Sequence, residues 1–135
     1  MEVKNITIAI GNQKGGVGKT TSTACIGAAL ALRGKRVLLV DLDAQQNLTF
    51  TLTQNEDPET SIYDTLVKDQ PLPIVPIREN LDLVPASLDL ARAEIDMATM
   101  MAREGILKSY LDEQKEKYDY ILMDCSPSLG IVTTN

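Results

Sequence analysis

Residues 3–41, VKNITIAIGNQKGGVGKTTSTACIGAALALRGKRVLLVD, decide the fold of this chain. Residues 3–10 alternate and then become continuously apolar, which predicts a buried strand. Residues 19–33 are rich in alanine and leucine and precede Gly34, a pattern typical of a helix with a glycine just past its last turn. Residues 36–41 (RVLLVD) predict a second apolar strand. Strand, loop, helix and strand form one βαβ unit, whose right-handed crossover makes the strands parallel.

The later apolar segments continue this alternation. Residues 81–85 predict a third strand and residues 120–124 (YILMD) a fourth. Ser61 and Asp64 have the spacing of a capping box before a short helix that ends near Lys68. Strands that are almost entirely apolar indicate a parallel sheet covered on both faces. We therefore predict a three-layer α/β fold of the P-loop NTPase type, incomplete at its C-terminus.

The segments between these elements give weaker signals. Residues 42–59 are polar and predict a loop with short helical pieces, and the three prolines within residues 71–76 predict a linker-like loop. A helix is predicted to begin after Ser87, with Gly105 weakening or breaking it before a second amphipathic helix runs to Lys117. The buried face of that second helix is predicted to contain Leu107, Leu111 and Tyr118.

The composition indicates one globular domain. A chain of 135 residues suits a single small domain, and its 44% hydrophobic and 24% charged residues are ordinary. Because the sequence contains no apolar run of about 18 residues and no signal peptide pattern, we predict a cytoplasmic protein without a membrane span. The net charge of −6 lacks the basic footprint of a protein that binds DNA by itself.

The supply of reactive side chains narrows the chemistry. The two cysteines, Cys25 and Cys125, have neither metal-ligand nor disulfide spacing, so we predict that they are buried as small hydrophobic residues. Histidine, the commonest general base, is absent. Any chemistry must therefore depend on carboxylates, lysines, backbone amides and a hard cation.

The sequence KGGVGKT at residues 14–20 lies between a predicted strand and a predicted helix, which is the context of a phosphate-binding loop. Its glycines let backbone amides surround phosphate oxygens at a positive helix N-terminus, and a chance glycine-rich turn would rarely have this context. Lys19 is predicted to contact the β- and γ-phosphates, and the Thr20 hydroxyl to bind Mg²⁺. The predicted nucleotide contacts are Lys14, Gly15, Gly16, Val17, Gly18, Lys19, Thr20 and Thr21.

This loop is a deviant form, because Gln13 stands where the strict pattern has a glycine. The deviant form is recognised by Lys14, which precedes the paired glycines. One interpretation of Lys14 is a solvated loop charge. The other is that it reaches the nucleotide of a second subunit and neutralises charge as the γ-phosphate leaves, as an arginine finger does.

Three aspartates follow predicted strands on the edge of the sheet that carries the phosphate loop. Asp124 fits a role in holding Mg²⁺ through a water molecule, and Asp43 is predicted to contact the metal site and to orient the attacking water. Asp41 is predicted to support these two residues without binding the metal itself. A single aspartate after a strand is more often a cap or turn residue, but together around a phosphate loop these residues predict a catalytic site.

Three stretches, IAIGNQKGGVGKTTS, VLLVDLDAQQNLT and YDYILMDCSPSLG, resemble in order the deviant Walker A, Walker A′ and Walker B motifs of ParA/Soj-type partitioning ATPases. The resemblance spans the whole chain and identifies residues 1–135 as the N-terminal part of one ATPase domain. It assigns the signature lysine to Lys14, the phosphate and Mg²⁺ residues to Lys19 and Thr20, the hydrolytic carboxylate to Asp43 and the Walker B aspartate to Asp124.

The resemblance also implies partners and a cycle. It implies binding of ATP or ADP with Mg²⁺, an ATP-dependent homodimer, a ParB-like activator, and non-specific DNA binding through residues beyond this chain, with nucleoid association in the ATP state. Family members often have Pro-Gln-Gly where this chain has Ala44-Gln45-Gln46, so it departs at Ala44 and Gln46, and it departs again at Ser126, where a proline is common. These departures concern the loop conformation.

Several alternatives share the phosphate loop. A MinD-type membrane-associated ATPase also has the signature lysine, although the sequence around Asp43 favours the partitioning branch. An iron–sulfur relative would need bridging cysteines, which Cys25 and Cys125 do not match. A small-molecule kinase or synthetase stays open because the loop reports only nucleotide phosphates, as does a fragment that binds nucleotide without hydrolysing it. The sequence chemistry does not distinguish ATP from GTP, and it does not identify the cargo.

Overall fold

The computed structural model describes residues 6–11, 17–55, 58–90 and 97–125. The strands are β1 Ile6–Gly11, β2 Val37–Leu42, β3 Val75–Arg78, β4 Leu81–Val84 and β5 Tyr120–Cys125. The helices are α1 Val17–Leu32, α2 Asn47–Thr53, α3 Ile62–Lys68 and α4 Met97–Gln114. Strands and helices alternate along the chain as the sequence predicts, except that α2 is followed directly by α3 and β3 by β4. Helix α2 lies in the polar segment 42–59.

The five strands form one sheet in the order β1-β5-β2-β4-β3. All neighbouring strands are parallel except β3 and β4, so the prediction of a parallel α/β sheet is confirmed for the part that carries the site. Strands β1 and β2, which α1 connects along the chain, are not hydrogen-bonded neighbours, because β5 lies between them. The carboxyl ends of β1, β5 and β2 therefore lie together at one edge.

Both faces of the sheet are covered, which confirms the three-layer arrangement. One face packs under α3 and α4 and buries the side chains of Leu38, Val40, Ile62, Leu66, Leu107, Leu111, Ile121 and Met123, among others. The opposite face packs under α1 and α2 and buries Ala31, Val37, Leu39, Leu48, Leu81, Leu83 and Leu122. Successive strand residues alternate between these two layers because strand side chains point to opposite faces in turn.

Helix α1 lies unusually close to β2. A Cβ added at Gly27 would be only 2.8 Å from Leu39 Cδ2, so a glycine allows the helix to pack directly on this strand. The helix ends at Leu32, and Gly34 follows just past its last turn as predicted, with a φ of +85° in the left-handed region that glycine adopts without strain. The amide of Lys35 donates to the carbonyl of Leu30 at 3.1 Å and closes the last turn.

The capping box at α3 is also confirmed. The amide of Tyr63 donates to Ser61 Oγ at 3.2 Å, and the amide of Ser61 donates to Asp64 Oδ2 at 2.9 Å. Reciprocal bonds of this kind satisfy amides that have no partner within the helix. The local spacing of two polar residues thus fixes the start of α3.

The predicted linker at residues 71–76 is wrong at its end, because Val75–Arg78 forms strand β3 at the edge of the sheet. It pairs antiparallel with β4 through the turn at Glu79 and Asn80, and Asn80 has a φ of 67°. Pro76 is tolerated because an edge strand leaves one side of its backbone unpaired, and the register shifts between Pro76 and Arg78. Prolines indicate where a strand cannot be central and do not exclude an edge strand.

The predicted break at Gly105 is also wrong, because α4 continues through it from Met97 to Gln114. Glycine in a helix costs about 1 kcal/mol relative to alanine, an amount smaller than the gain from burying Leu107 and Leu111 beneath the helix. The helix ends before Lys117. Tyr118 nevertheless packs in the same cluster, from the turn that follows the helix.

The cysteine prediction holds for one residue only. Cys125 is fully buried at the end of β5, whereas Cys25 is exposed on α1. Cys25 lies on the outward side of the helix in the described structure, next to Ile26, which is also exposed. The prediction that both cysteines are buried is therefore wrong for Cys25, because helix periodicity and not residue type decides which side faces the sheet.

Candidate functional site

The carboxyl ends of three parallel strands form the candidate site. Ile10 pairs with Asp124 in the register of β1 and β5, and Asp124 pairs with Asp41 in the register of β5 and β2. The two aspartates thus lie side by side on neighbouring strands, and both are fully buried. Ligands of α/β proteins bind outside this edge of the sheet, which makes two adjacent acidic residues here significant.

The predicted phosphate loop connects this edge to α1. Strand β1 ends at Gly11 and α1 begins at Val17, so the short connection between them keeps the positive N-terminus of α1 near the edge. Lys14, Gly15 and Gly16 lie outside the described residues. Val17, Gly18, Lys19 and Thr20 form the first turn of α1, of which only the backbone is described, and Thr21 follows them with an exposed side chain. The predicted phosphate contacts of these residues stay predictions.

Asp41 is held entirely by groups of the protein. Its Oδ1 accepts the Asp43 amide at 3.0 Å, and its Oδ2 accepts both the amide of Thr49 at 2.9 Å and the Thr49 hydroxyl at 2.6 Å. Burial raises the pKa of Asp41 to about 7, more than these hydrogen bonds lower it, and the neighbouring charge of Asp124 contributes to the rise. The carboxyl of Asp41 therefore organises the turn after β2.

Asp43 lies in that turn, directly beyond the end of β2. Its side chain is nearly buried, at 9% exposed, and its Oδ1 accepts the amide of Gln45 at 3.0 Å. Its carbonyl accepts the amide of Gln46 at 2.9 Å. Asp43 thus closes a tight turn at the site edge, which is the usual structural role of an aspartate after a strand. The predicted role in orienting water stays a prediction.

Gln46 has an uncommon backbone for a residue with a side chain. Its φ of 61° and ψ of 25° lie in the left-handed region, and it forms the N-cap of α2. Its Nε2 donates to the carbonyl of Ala86 at 3.1 Å, a bond that is buried. Gln46 is one of the positions where the chain departs from the Pro-Gln-Gly pattern, so its side chain provides an attachment that a glycine there would lack.

No sequence pattern pointed to the residues that join this turn to the segment after β4. Thr49 and Ala86 are 37 positions apart in the chain, and Gln46 and Ala86 are 40 apart. No periodicity or spacing rule connects such positions. The sequence does show polar residues here, Gln45–Asn47 and Thr49, shortly after the predicted site residues Asp41 and Asp43.

A bound Mg²⁺ would need oxygen ligands at this edge. The predicted ligands are Thr20, Asp43 and Asp124, and the side chain of Thr20 lies outside the described residues. Across the part of the chain that is described, no group of three or more cysteine, aspartate and glutamate side chains could hold a metal ion. Asp43 and Asp124 still fit the ion, because Mg²⁺ in nucleotide sites commonly uses one or two carboxylates, with water and phosphate oxygens completing its shell.

None of the helices in the described residues is both long and apolar enough to cross a membrane.

Comparison with known proteins identifies relatives over almost the whole chain. A family described as an AAA domain, AAA_31, matches residues 5–135. The sporulation initiation inhibitor protein Soj of Bacillus subtilis is 51% identical over 132 residues, which cover 95% of this chain and 52% of that protein. The chromosome-partitioning ATPase Soj of Treponema pallidum is 45% identical over 133 residues, covering 96% of this chain and 51% of that protein.

Solved structures agree with these sequence matches. A structure titled cobyrinic acid a,c-diamide synthase from Mycobacterium smegmatis, with bound ADP and magnesium, has a TM-score of 0.85 and 43% identity. The match covers 97% of this chain and 55% of that one. The chain thus spans about half the length of the relatives it matches. The solved structure of the synthase contains both ADP and magnesium.

Proposed function

We propose, from the premise that the chain belongs to the AAA_31 family of AAA domains, that it is part of an ATPase that switches state with ATP and Mg²⁺ in chromosome or plasmid partitioning. The observation that carries the proposal is the register that joins Ile10, Asp124 and Asp41 at the strand edge from which KGGVGKT leads into α1. We also propose that residues 1–135 are the N-terminal part of a single ATPase domain, since the relatives are about twice as long.

The proposed site binds ATP through its phosphates. The backbone amides of residues 14–21 and the ammonium of Lys19 hold the β- and γ-phosphates, as in other phosphate loops. Thr20, Asp43 and Asp124 are the proposed Mg²⁺ ligands, with Asp124 acting through a water molecule. When bound, the ion neutralises charge on the β- and γ-phosphate oxygens.

Asp43 is proposed to position the attacking water, because the sequence has no histidine for this task. The water oxygen forms a bond to the γ-phosphorus while the bond from that phosphorus to the β–γ bridging oxygen breaks. The products are ADP and inorganic phosphate, and the proton from water is released to solvent. The buried turn that holds Asp43 supports this role, since it limits the carboxylate to few positions.

Lys14 is proposed to act across a homodimer. In this arrangement the lysine of each subunit contacts the nucleotide of the other, so ATP favours the dimer and hydrolysis releases it. Following the family resemblance, a ParB-like protein accelerates hydrolysis, and the ATP-bound dimer associates with the nucleoid through DNA-binding residues outside this chain. The net charge of −6 is consistent with DNA contacts that lie elsewhere.

The test is a measurement of mass in solution on the whole protein, with Mg²⁺ and a non-hydrolysable ATP analogue. Wild type should change from monomer to dimer when the analogue is added. Lys14→Ala should bind the analogue with impaired dimerisation, whereas Lys108→Ala, which removes an exposed lysine on α4, should behave as wild type.

The outcomes separate the proposal from its alternatives. A wild-type protein that binds the analogue and stays monomeric contradicts the switch. Equal dimerisation of wild type and Lys14→Ala contradicts the role of the lysine across the interface. Binding to lipid vesicles in the ATP state would instead support the MinD-type alternative.

A second candidate function comes from one specific observation, the likeness to a structure titled cobyrinic acid a,c-diamide synthase. By analogy the chain would belong to a synthetase that uses ATP to activate a carboxylate for amide formation. Such an enzyme would release phosphate rapidly only when a carboxylate substrate and a nitrogen donor are present. Turnover that instead responds to DNA and a partner protein favours partitioning.

A further inference from the structure

The backbone of Ala86, just beyond the end of β4, is hydrogen-bonded through both its N–H and its C=O group. Its amide donates to Thr49 Oγ1 at 2.9 Å, and its carbonyl accepts Gln46 Nε2 at 3.1 Å. Ala86 is fully buried, and both bonds are buried as well. The segment after β4 is therefore attached to α2 at two points one turn apart.

Thr49 connects the backbone N–H of Ala86 to the end of β2. The Thr49 hydroxyl accepts the Ala86 amide and donates its own proton to Asp41 Oδ2 at 2.6 Å. A threonine hydroxyl can donate one hydrogen bond and also accept hydrogen bonds, and the Thr49 hydroxyl does both here. Thr49 is fully buried, and buried polar chains of this kind hold a single geometry.

Gln46 closes the other side of the arrangement. Its amide donates to the carbonyl of Asp43 at 2.9 Å, which closes the turn, while its side chain attaches the turn to Ala86. The left-handed backbone of Gln46 is unfavourable for a residue with a Cβ, and such a conformation persists where the surrounding structure holds it. The buried side-chain bond to Ala86 is a contact able to hold it.

We propose that this attachment to both backbone groups of Ala86 fixes the turn that carries Asp43, and that Gln46 and Thr49 are thereby positioning residues for ATP hydrolysis. The inference rests on the proposed function, because it requires Asp43 to position water. Neither residue touches ATP in this account. Loss of the attachment allows the turn to move, and small displacements of a positioned carboxylate lower the rate of the chemical step more than they weaken binding of the nucleotide.

The chain provides matched controls for both residues. Gln54, at the other end of α2, has almost the same backbone, with φ 61° and ψ 22° against φ 61° and ψ 25° for Gln46, but it is exposed. Thr51 is an exposed threonine on the same helix as Thr49. Gln46→Ala and Gln54→Ala both keep a Cβ on a left-handed backbone, and only Gln46→Ala removes the bond to Ala86. Thr49→Val and Thr51→Val form the second pair.

The experiment measures ATP turnover and, separately, the affinity for a fluorescent ATP analogue with Mg²⁺ in the whole protein. Gln46→Ala and Thr49→Val should each lower kcat about tenfold while nucleotide affinity changes less than about twofold. Thr49→Ser, which keeps the hydroxyl, should recover most of kcat. Gln54→Ala and Thr51→Val should match wild type. Thermal unfolding confirms that the variants are folded, and Gln46→Ala stays informative if Thr49→Val is not.

Each result bears on the inference in a distinct way. If wild type turns over ATP and Gln46→Ala keeps the wild-type kcat, the positioning role is overturned while the proposed function stands. If kcat and affinity fall together, the residues serve only to maintain the fold, and the inference also fails. If wild type binds ATP without any turnover, the proposed function itself fails, and the positioning role fails with it.

Discussion

Two aspartates at opposite ends of the same strand pair are stabilised in contrasting ways. Asp41, at the carboxyl end of β2, is buried and held by neutral donors. Asp119, just before the amino end of β5, is partly exposed and bound by Arg36. The amide of Arg36 donates to Asp119 Oδ2 at 2.9 Å, and its guanidinium lies 3.2 Å from Oδ1.

The pKa values of these two carboxyls shift in opposite directions. Burial raises the pKa of Asp41 to about 7, whereas hydrogen bonds from Arg36 hold the pKa of Asp119 below its usual range. The exposed pair at the amino edge joins β2 to β5 and remains in contact with water. The buried carboxyl at the carboxyl edge is costly to ionise and organises a turn at the candidate site. The difference shows that ionising the buried carboxyl of Asp41 at the carboxyl edge costs free energy, a situation that is typical of functional sites.

The largest effect is expected from Asp41→Ala. The substitution leaves the amides of Asp43 and Thr49 and the Thr49 hydroxyl without their acceptor in a buried place, so the free energy of unfolding should fall by about 3 to 5 kcal/mol. Urea unfolding at pH 6 measures this loss. Asp112→Ala, on the exposed side of α4, is the control and should change stability little. A loss below about 1 kcal/mol would mean that water replaces Asp41 easily.

The second prediction concerns pH and distinguishes the two aspartates by sign. A carboxyl whose pKa is higher in the folded than in the unfolded protein binds its proton more tightly when folded, so stability falls as pH rises between the two values. The stability of wild type relative to Asp41→Asn should therefore fall by about 2 kcal/mol from pH 5 to pH 7. Urea unfolding over this range, without Mg²⁺, measures it.

Asp119 should show the opposite slope. Because its pKa is lowered in the folded protein, it contributes stability above its unfolded pKa and loses that contribution as pH falls through the folded value. The stability of wild type relative to Asp119→Asn should rise with pH in the acid range and then become constant. Slopes of the same sign for the two aspartates would contradict the contrast between burial and pairing.

The smallest effect is expected from Asp119→Ala near neutral pH. The ion pair with Arg36 is partly solvated, with side chains that are 51% and 31% exposed, so its loss should cost about 0.5 to 1 kcal/mol. The cost should shrink in high salt, which screens exposed charges. A double-mutant cycle with Arg36→Ala separates the pair from the backbone contacts. A coupling energy that does not change with salt would be inconsistent with this account.

Local patterns were reliable where neighbouring residues set the structure. The capping box of Ser61 and Asp64, the left-handed Gly34 and the apolar strands could all be predicted, because each depends on residues a few positions apart. Two predictions failed where contacts with distant residues outweighed a local signal. Edge pairing with β4 made a strand around Pro76, and packing of Leu107 and Leu111 kept α4 continuous through Gly105.

The candidate site divides in the same way. The acidic strand ends were predictable, because the carboxyl ends of parallel strands share one edge. The pairing of Asp41 with Asp124 was not, because it requires β5 to lie beside β2. The attachment of the Asp43 turn to Ala86 was not predictable. It depends on hydrogen bonds that Gln46 and Thr49 make with the backbone of Ala86, which only folding brings close to them.

The sequence by itself determined the α/β alternation, the frame of strand, glycine-rich loop and helix, and the presence of aspartates at the carboxyl ends of β2 and β5. These features follow from periodicity and from the conformations that each residue type allows. Only the tertiary structure decided that β5 lies between β1 and β2, that Asp41 is buried beside Asp124, and which groups hold the turn after β2. The physical reason is that burial and hydrogen bonding depend on which distant segments pack together, and sequence spacing does not encode that directly.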